Sequence, residues 1–145
     1  MLYARKGCSC SQAVACAFAD AYGLDKSLLL GMSSGLAGGM SGAGEVCGVV
    51  TAGIVVLGAL FGPKSIQDSE RREHVMQLSH EFLVAFGHKN GSTLCRELNG
   101  GVDLHSAAGK LALRESGKPM KLIASGTHLL ADLISREDEK VVTHQ

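Results

Sequence analysis

One stretch of the sequence constrains the fold more than any other. Residues 28–63 contain a single charge, Glu45, and 10 of the chain's 19 glycines. Within this stretch, the run Val46 to Phe61 has 16 residues without a charge, fewer than the ~20 apolar residues that span a bilayer. We therefore predict a buried central helix from about Gly44 to Phe61 and no membrane span. Its glycines suit close helix packing, a property compatible with a homodimer, although the sequence does not set the number of copies.

The rest of the chain also has the apolar spacing of helices. Runs of alternating polar and apolar residues bounded by turns are absent, so we predict an all-α fold of six or seven helices. Residues 1–145 are expected to form one domain, with an ordered core over about 7–137 and a flexible tail over 138–145. Cap residues and glycines place the other helices: Ser9 or Ser11 to Tyr22, Asp25 to about Ala37, Ser65 or Asp68 to Phe86, a short helix capped by Ser92 after a turn over 87–92, residues 103–116, and Lys118 to Arg136.

Composition excludes several classes of partner. The chain has 14 basic and 14 acidic residues and no tryptophan, so neither nucleic acid nor an anionic membrane surface is expected to bind it. The first ten residues, MLYARKGCSC, lack the apolar core of a signal peptide, which predicts a cytoplasmic location. In that reducing compartment the five cysteines are not expected to form a disulfide framework. They are either buried free thiols, metal ligands or a redox pair.

Three of the five cysteines fall in the first turn of a predicted helix: Cys10, Cys47 and Cys95. Free backbone N–H groups and the helix dipole stabilise negative charge there. We therefore expect a lowered pKa and a thiolate, the form that attacks disulfides and binds metals. The same positions suit an iron–sulfur cluster, whose sulfurs accept hydrogen bonds from backbone N–H groups. The alternative is that each cysteine is only a small buried apolar residue. Cys8 and Cys16 lie off this pattern and are weaker candidates.

Three separated motifs resemble one known family. CSQAV at 10–14, GLAGGMSGAGEVCG at 35–48 and CREL at 95–98 are similar to motifs of a family described as redox-active and named for its cysteine pattern, C_GCAxxG_C_C. The resemblance covers roughly residues 7–130. It implies that Cys10, Cys47 and Cys95 match the first three of four family cysteines. The same domain type occurs in a multihaem cytochrome, where it resembles a 2Fe-2S carrier, so the resemblance also implies a candidate cluster.

The sequence departs from the family pattern in two places. CGVVTA has Val49 for the motif's alanine and Ala52 for its glycine, and no cysteine follows Cys95. The fourth family cysteine is expected near GKPMKL, where the nearest sulfur is that of Met120. A thioether cannot replace a thiolate as a nucleophile and is a poor ligand for a typical iron–sulfur site. Cys8 or Cys16 is expected to take the fourth place only if the first helix frays or rotates.

Two functional hypotheses follow, besides a less favoured third, a small helical membrane-associated protein built around Val46 to Phe61. In the first, the protein is redox-active and uses Cys10, Cys47 and Cys95 either as a thiol–disulfide set or as ligands of a 2Fe-2S cluster. Its electron or thiol partner is unidentified. In the second, the chain is a helical binding or assembly module that keeps the family fold without redox chemistry. Whether the protein is an enzyme stays open in both.

Overall fold

The computed structural model describes residues 2–143, with side chains through residue 140. Within that part of the chain, the fold consists of eight α-helices, and its only β pairing is an isolated antiparallel bridge between Val46 and Leu94. A short 3-10 helix, Ser34–Leu36, follows the third α-helix. The prediction of an all-α fold is confirmed. The helices are α1 Leu2–Arg5, α2 Cys10–Tyr22, α3 Lys26–Ser33, α4 Gly48–Phe61, α5 Ser69–Asn90, α6 Cys95–Leu98, α7 Ala107–Glu115 and α8 Lys118–Thr143.

The predicted caps of the first helices are confirmed. Ser9 caps α2 through a capping box with Gln12, and Gly23 ends the helix in the left-handed conformation with φ 64°. Asp25 caps α3 by accepting a hydrogen bond from the backbone N–H of Leu28. The two N-caps satisfy backbone N–H groups and the C-cap satisfies a carbonyl, all of which a helix end would otherwise leave unpaired.

Several predicted helix ends are wrong: besides those described next, α3 ends at Ser33 instead of about Ala37, α7 begins at Ala107 instead of 103, and α8 continues past Arg136. Helix α4 begins at Gly48 with Cys47 as its N-cap, because hydrogen bonds to the segment around Leu94 hold residues 45–47 extended. Helix α5 continues past Phe86 to Asn90, so the predicted turn is confined to the residues from Gly91 onward. Ser92 does not cap α6, whose N-cap is Leu94.

Helix α4 is the centre of the core, as the sequence predicted. It packs against α2, α5 and α8, and its apolar side chains lie in one cluster with those of the surrounding helices. Two glycines allow the closest approaches: a Cβ on Gly53 would collide with the ring of Phe82, and one on Gly126 would collide with Val49. Helix α8 buries Ile123, Leu130, Leu133 and Ile134 on one face.

The central helix has 14 residues, fewer than the ~20 needed for a span. Among the residues that the structure describes, no helix is both long and apolar enough to span a bilayer. The organisation as one domain and the flexibility of the tail stay predictions. Helix α8 continues through Thr143, and residues 144 and 145 of the predicted tail lie outside the described part.

The segment between the 3-10 helix and α4 has an unusual backbone. Residues 38–44, named here the glycine-rich turn, include five consecutive residues, Gly38 to Gly42, with φ between +56° and +85°. Met40 and Ser41 are the non-glycine members, and each pays about 1–2 kcal/mol for the left-handed conformation. Hydrogen bonds close the turn, including those from Ser41 N to Gly35 O (2.9 Å) and from Glu45 N to Gly39 O (3.0 Å). Strain of this kind concentrates at functional sites.

Candidate thiol site

A cavity of about 770 Å³ brings most of the cysteines together. Its wall is formed by the connection from α1 to α2, the glycine-rich turn, the starts of α4 and α6, and parts of α7 and α8. Four thiols line it, those of Cys8, Cys10, Cys47 and Cys95, together with the side chain of Met120. The fifth, Cys16, is 1% exposed and does not line this cavity. The three cysteines predicted as site residues therefore share one cavity.

The isolated bridge places Cys47 beside Cys95. The backbone N–H of Cys47 donates to Thr93 O (2.8 Å), and that of Cys95 donates to Glu45 O (2.7 Å), on either side of the pair Val46 and Leu94. Successive side chains of an extended segment point to opposite faces. Cys47 and Cys95 each follow a bridge residue by one position, so both lie on the face that borders the cavity. The bridge therefore joins the N-terminal ends of α4 and α6.

Glu45 has a different place from the one predicted. It precedes α4 by three positions, and its carboxylate forms an exposed ion pair with Arg96 (2.8 Å). An exposed pair of this kind contributes at most about 1 kcal/mol. Glu45 therefore belongs to the bridge segment and lies outside the first turn of α4.

Cys10, the first residue of α2, lines the same cavity as Cys47 and Cys95. Its Sγ lies against Gly48, where an added Cβ would be 2.7 Å from the sulfur and 3.0 Å from the carbonyl oxygen of Leu36. A side chain at position 48 would therefore occupy space next to the Cys10 sulfur. Because Gly48 has none, α2 and α4 pack closely, and the Cys10 sulfur lies against the residue that follows Cys47 in the sequence.

The pKa values of the buried thiols are raised, which is opposite to the prediction from helix position. Burial raises the pKa of Cys47 from 9.0 to about 12, and Cys10 and then Cys95 add to the rise, while the backbone N–H groups of Val49 and Val50 oppose it. Neither N–H group donates a hydrogen bond to the thiol. Burial and Cys10 also raise the pKa of Cys95. The cost of burying a thiolate exceeds the benefit of the helix N-terminus.

The same shifts couple three of the thiols electrostatically. Cys10 is the first charged group, after burial, to raise the pKa of both Cys47 and Cys95. Cys8 instead raises the pKa of Cys16, again after burial. The sulfurs of Cys10, Cys47 and Cys95 thus form a set in which a charge on one disfavours a charge on the others. Such a set is stabilised by protonation, by disulfide formation or by bound cations.

Asn99 is a site residue that the sequence interpretation missed. It is 5% exposed, and its Oδ1 accepts hydrogen bonds from the backbone N–H groups of Gly101 (2.8 Å) and Val102 (3.1 Å). These bonds fix the amide so that Nδ2 donates toward Cys95 Sγ at 3.8 Å, which lowers the pKa of Cys95 against the effect of burial. The sequence feature that could have identified Asn99 is its position, four residues after Cys95 in a helical segment that ends at two glycines.

The donor set determines how a cluster could be held. A 2Fe-2S cluster takes four thiolates in its usual form, and Met120 on the wall cannot be one of them. Cys8 lies in the connection before α2 and lines the cavity with that helix intact, so the wall has four thiols with Cys8 in the fourth place. Within residues 2–140, no three His, Cys, Asp or Glu side chains are arranged to hold a single metal ion. The residues fit a cluster in number and donor type, but they do not form a single-ion site.

Comparison with known proteins agrees with the motifs. The family model described as "Putative redox-active protein (C_GCAxxG_C_C)" matches residues 8–132. The chain belongs to this family. The region matched by the C_GCAxxG_C_C model begins at Cys8 and contains all five cysteines, and the description of the family supports a redox role in general. Searches of curated proteins and of solved structures found no match.

Proposed function

We propose that this protein is a thiol–disulfide redox protein in which Cys10 and Cys47 form a reversible disulfide. The observation that carries the proposal is the position of the Cys10 sulfur against Gly48, directly beside Cys47. Two thiols that approach from different helices into one cavity need little backbone movement to pair, which is the geometric requirement for a disulfide. Cys95 is the third thiol of the set and the competing partner.

Exposure assigns different roles to the two cysteines. Cys10 is half-buried, so we assign it as the thiolate that attacks one sulfur of an external disulfide and releases the other half as a thiol. Cys47 is 2% exposed and, with its raised pKa, remains a thiol until the mixed disulfide forms. Cys47 then loses its proton and attacks the Cys10 sulfur, which releases the second thiol. In total, two protein thiols are oxidised and one external disulfide is reduced.

The test is a redox titration of the whole chain combined with peptide mapping under non-reducing conditions. We expect a two-electron couple and a peptide that links Cys10 to Cys47. Both should be lost in Cys10→Ser and Cys47→Ser and kept in Cys8→Ser, a matched control because Cys8 lines the same cavity. Far-UV circular dichroism checks that each variant is folded. A couple that survives in Cys10→Ser would refute the assignment.

A second candidate is a 2Fe-2S cluster held by Cys8, Cys10, Cys47 and Cys95. The observation that favours it is the Asn99 Nδ2 donor directed at Cys95 Sγ at 3.8 Å, since cluster thiolates accept such hydrogen bonds. When bound, the cluster would supply one-electron transfer.

Anaerobic purification followed by assay of iron and acid-labile sulfide tests this second candidate. We expect loss of both in Cys8→Ser but not in Cys16→Ser, since Cys16 lies outside the cavity. A colourless, iron-free chain after anaerobic reconstitution would exclude the cluster. Absence of both a cluster and a thiol couple would favour the redox-inactive binding module. The cytoplasmic location, the homodimer and the identity of the partner stay predictions.

A further inference from the structure

The charged groups on the cavity wall are all of one sign. Arg5, Lys110 and Arg114 line the cavity together with His105, and none of its described lining residues is Asp or Glu. The whole chain has equal numbers of basic and acidic residues, so the absence of acids here is a local property. The thiol set therefore opens into a cavity whose permanent charges are positive.

Helix α7 contributes most of this charge. Lys110, Leu113 and Arg114 are spaced three and four residues apart, and all three line the cavity, so one face of the helix borders it. Two like charges four residues apart destabilise a helix by a few tenths of a kcal/mol. In the described part of the chain, no carboxylate pairs with Lys110 or Arg114. A bound anion would remove this repulsion.

Arg5 carries a third positive charge to the cavity from a different element. It ends α1, immediately before the connection that contains Cys8, and forms no ion pair among the described residues. The cavity volume of about 770 Å³ lies in the range that small-molecule sites occupy, roughly 300–1,000 Å³. Size and charge together favour a small anionic ligand.

We infer that the disulfide with which Cys10 exchanges is a small molecule that carries carboxylates. This inference rests on the proposed thiol–disulfide function and names its substrate class. The carboxylates would lie among Lys110, Arg114 and Arg5 while the substrate's disulfide meets the Cys10 sulfur. The exchange is the one written above: the substrate disulfide is reduced to two thiols, and Cys10 and Cys47 are oxidised to a disulfide. Positive charge at the cavity raises the encounter rate of an anion, and salt reduces it.

The experiment compares three disulfides of different charge on the reduced full-length chain. The probes are oxidised glutathione, which is anionic, bis(2-hydroxyethyl) disulfide, which is neutral, and cystamine, which is cationic. Acid quenching and mass spectrometry give the second-order rate constant for loss of the Cys10 thiol. Each rate constant is divided by that of the urea-unfolded chain, which removes the intrinsic reactivity of the probe. We expect a normalised preference for oxidised glutathione over cystamine of about tenfold or more, which decreases at high salt.

Charge variants locate the effect. Lys110→Gln and Arg114→Gln should each lower the glutathione rate several-fold and leave the neutral disulfide unchanged. Lys89→Gln removes the same charge from the last turn of α5, outside the cavity lining, and should change neither rate. Because α7 has no buried residues, these variants are expected to fold, and circular dichroism checks this.

The possible results separate the two proposals. If Cys10 and Cys47 form a disulfide at normalised rates that do not depend on probe charge, the substrate class is wrong and the thiol–disulfide function stands. If no probe produces that disulfide, the proposed function itself fails. If the cavity variants change only iron content after reconstitution and not the exchange rates, the cations serve a cluster and the inference is overturned.

Discussion

Replacing Gly39 with alanine perturbs the glycine-rich turn at its closest contact with the thiol site. Gly39 has φ +67°, and an added Cβ would lie 2.6 Å from the backbone N of Glu45 and 2.7 Å from the Cβ of Cys95. The left-handed conformation costs an L-residue about 1–2 kcal/mol. Overlap with backbone atoms, which no rotamer change relieves, adds about 1–3 kcal/mol. We expect the free energy of unfolding to fall by about 3 kcal/mol.

A second glycine separates the two costs. Gly23 has φ +64° but no atom within 4 Å of an added Cβ, so Gly23→Ala should lose only the conformational part, about 1 kcal/mol. Urea unfolding followed by circular dichroism measures both variants. Titration of native thiols should also find Cys95 more reactive in Gly39→Ala, because the displaced turn exposes it. Equal losses of stability in the two variants would refute the argument from close approach.

Three further predictions concern the thiols and the core. Because the folded state raises the pKa of Cys47 from 9.0 to about 12, the unfolded state releases the proton first, and stability falls as the pH rises from about 9 to 12. Unfolding measured across that range should show a steeper fall for the reduced wild type than for Cys47→Ala, and equal slopes would contradict the shift. Gly53→Ala should lower the thermal unfolding midpoint, because the added Cβ collides with the ring of a core phenylalanine. Gly58→Ala should raise the midpoint, because no atom lies within 4 Å of the added Cβ and alanine has the higher helix propensity. Asn99→Asp keeps the oxygen that accepts the loop N–H groups but replaces the N–H donor to Cys95 with a carboxylate. The negative charge disfavours the Cys95 thiolate, so iodoacetamide should alkylate Cys95 more slowly at pH 8. An unchanged rate would mean that the Asn99 donor does not affect the reactivity of this thiol.

The helices were largely predictable because their signals are local. Ser9 and Asp25 are typical N-cap residues and begin α2 and α3, and Gly23 ends α2 at the predicted residue. The start of α4 was not predictable in this way. The local sequence predicts a helix start at about Gly44. Hydrogen bonds to the distant segment around Leu94 hold residues 45–47 extended, so the helix begins later.

The sequence predicted which cysteines form the site but not the direction of their pKa shifts. Motif order identified Cys10, Cys47 and Cys95 as a group, and the cavity brings them together. Helix position alone gave the wrong direction for the pKa of Cys47, since burial depends on packing of α4 against three other helices. Cys8 was undervalued for a related reason. The sequence shows only that it precedes α2, whereas the packing of α1 turns it toward the same cavity.

The glycine-rich turn has a consequence for chirality. Five consecutive residues with positive φ form a short stretch of backbone in a region that L-amino acids rarely adopt. Such a backbone is strained for L-residues but is the preferred conformation of D-residues. In a chemically assembled chain, D-alanine at Gly42 would adopt its favoured conformation and restrict the unfolded chain, whereas L-alanine at the same position would be strained. Beside the thiol site, handedness of the side chain therefore decides whether a substitution stabilises or disrupts the fold.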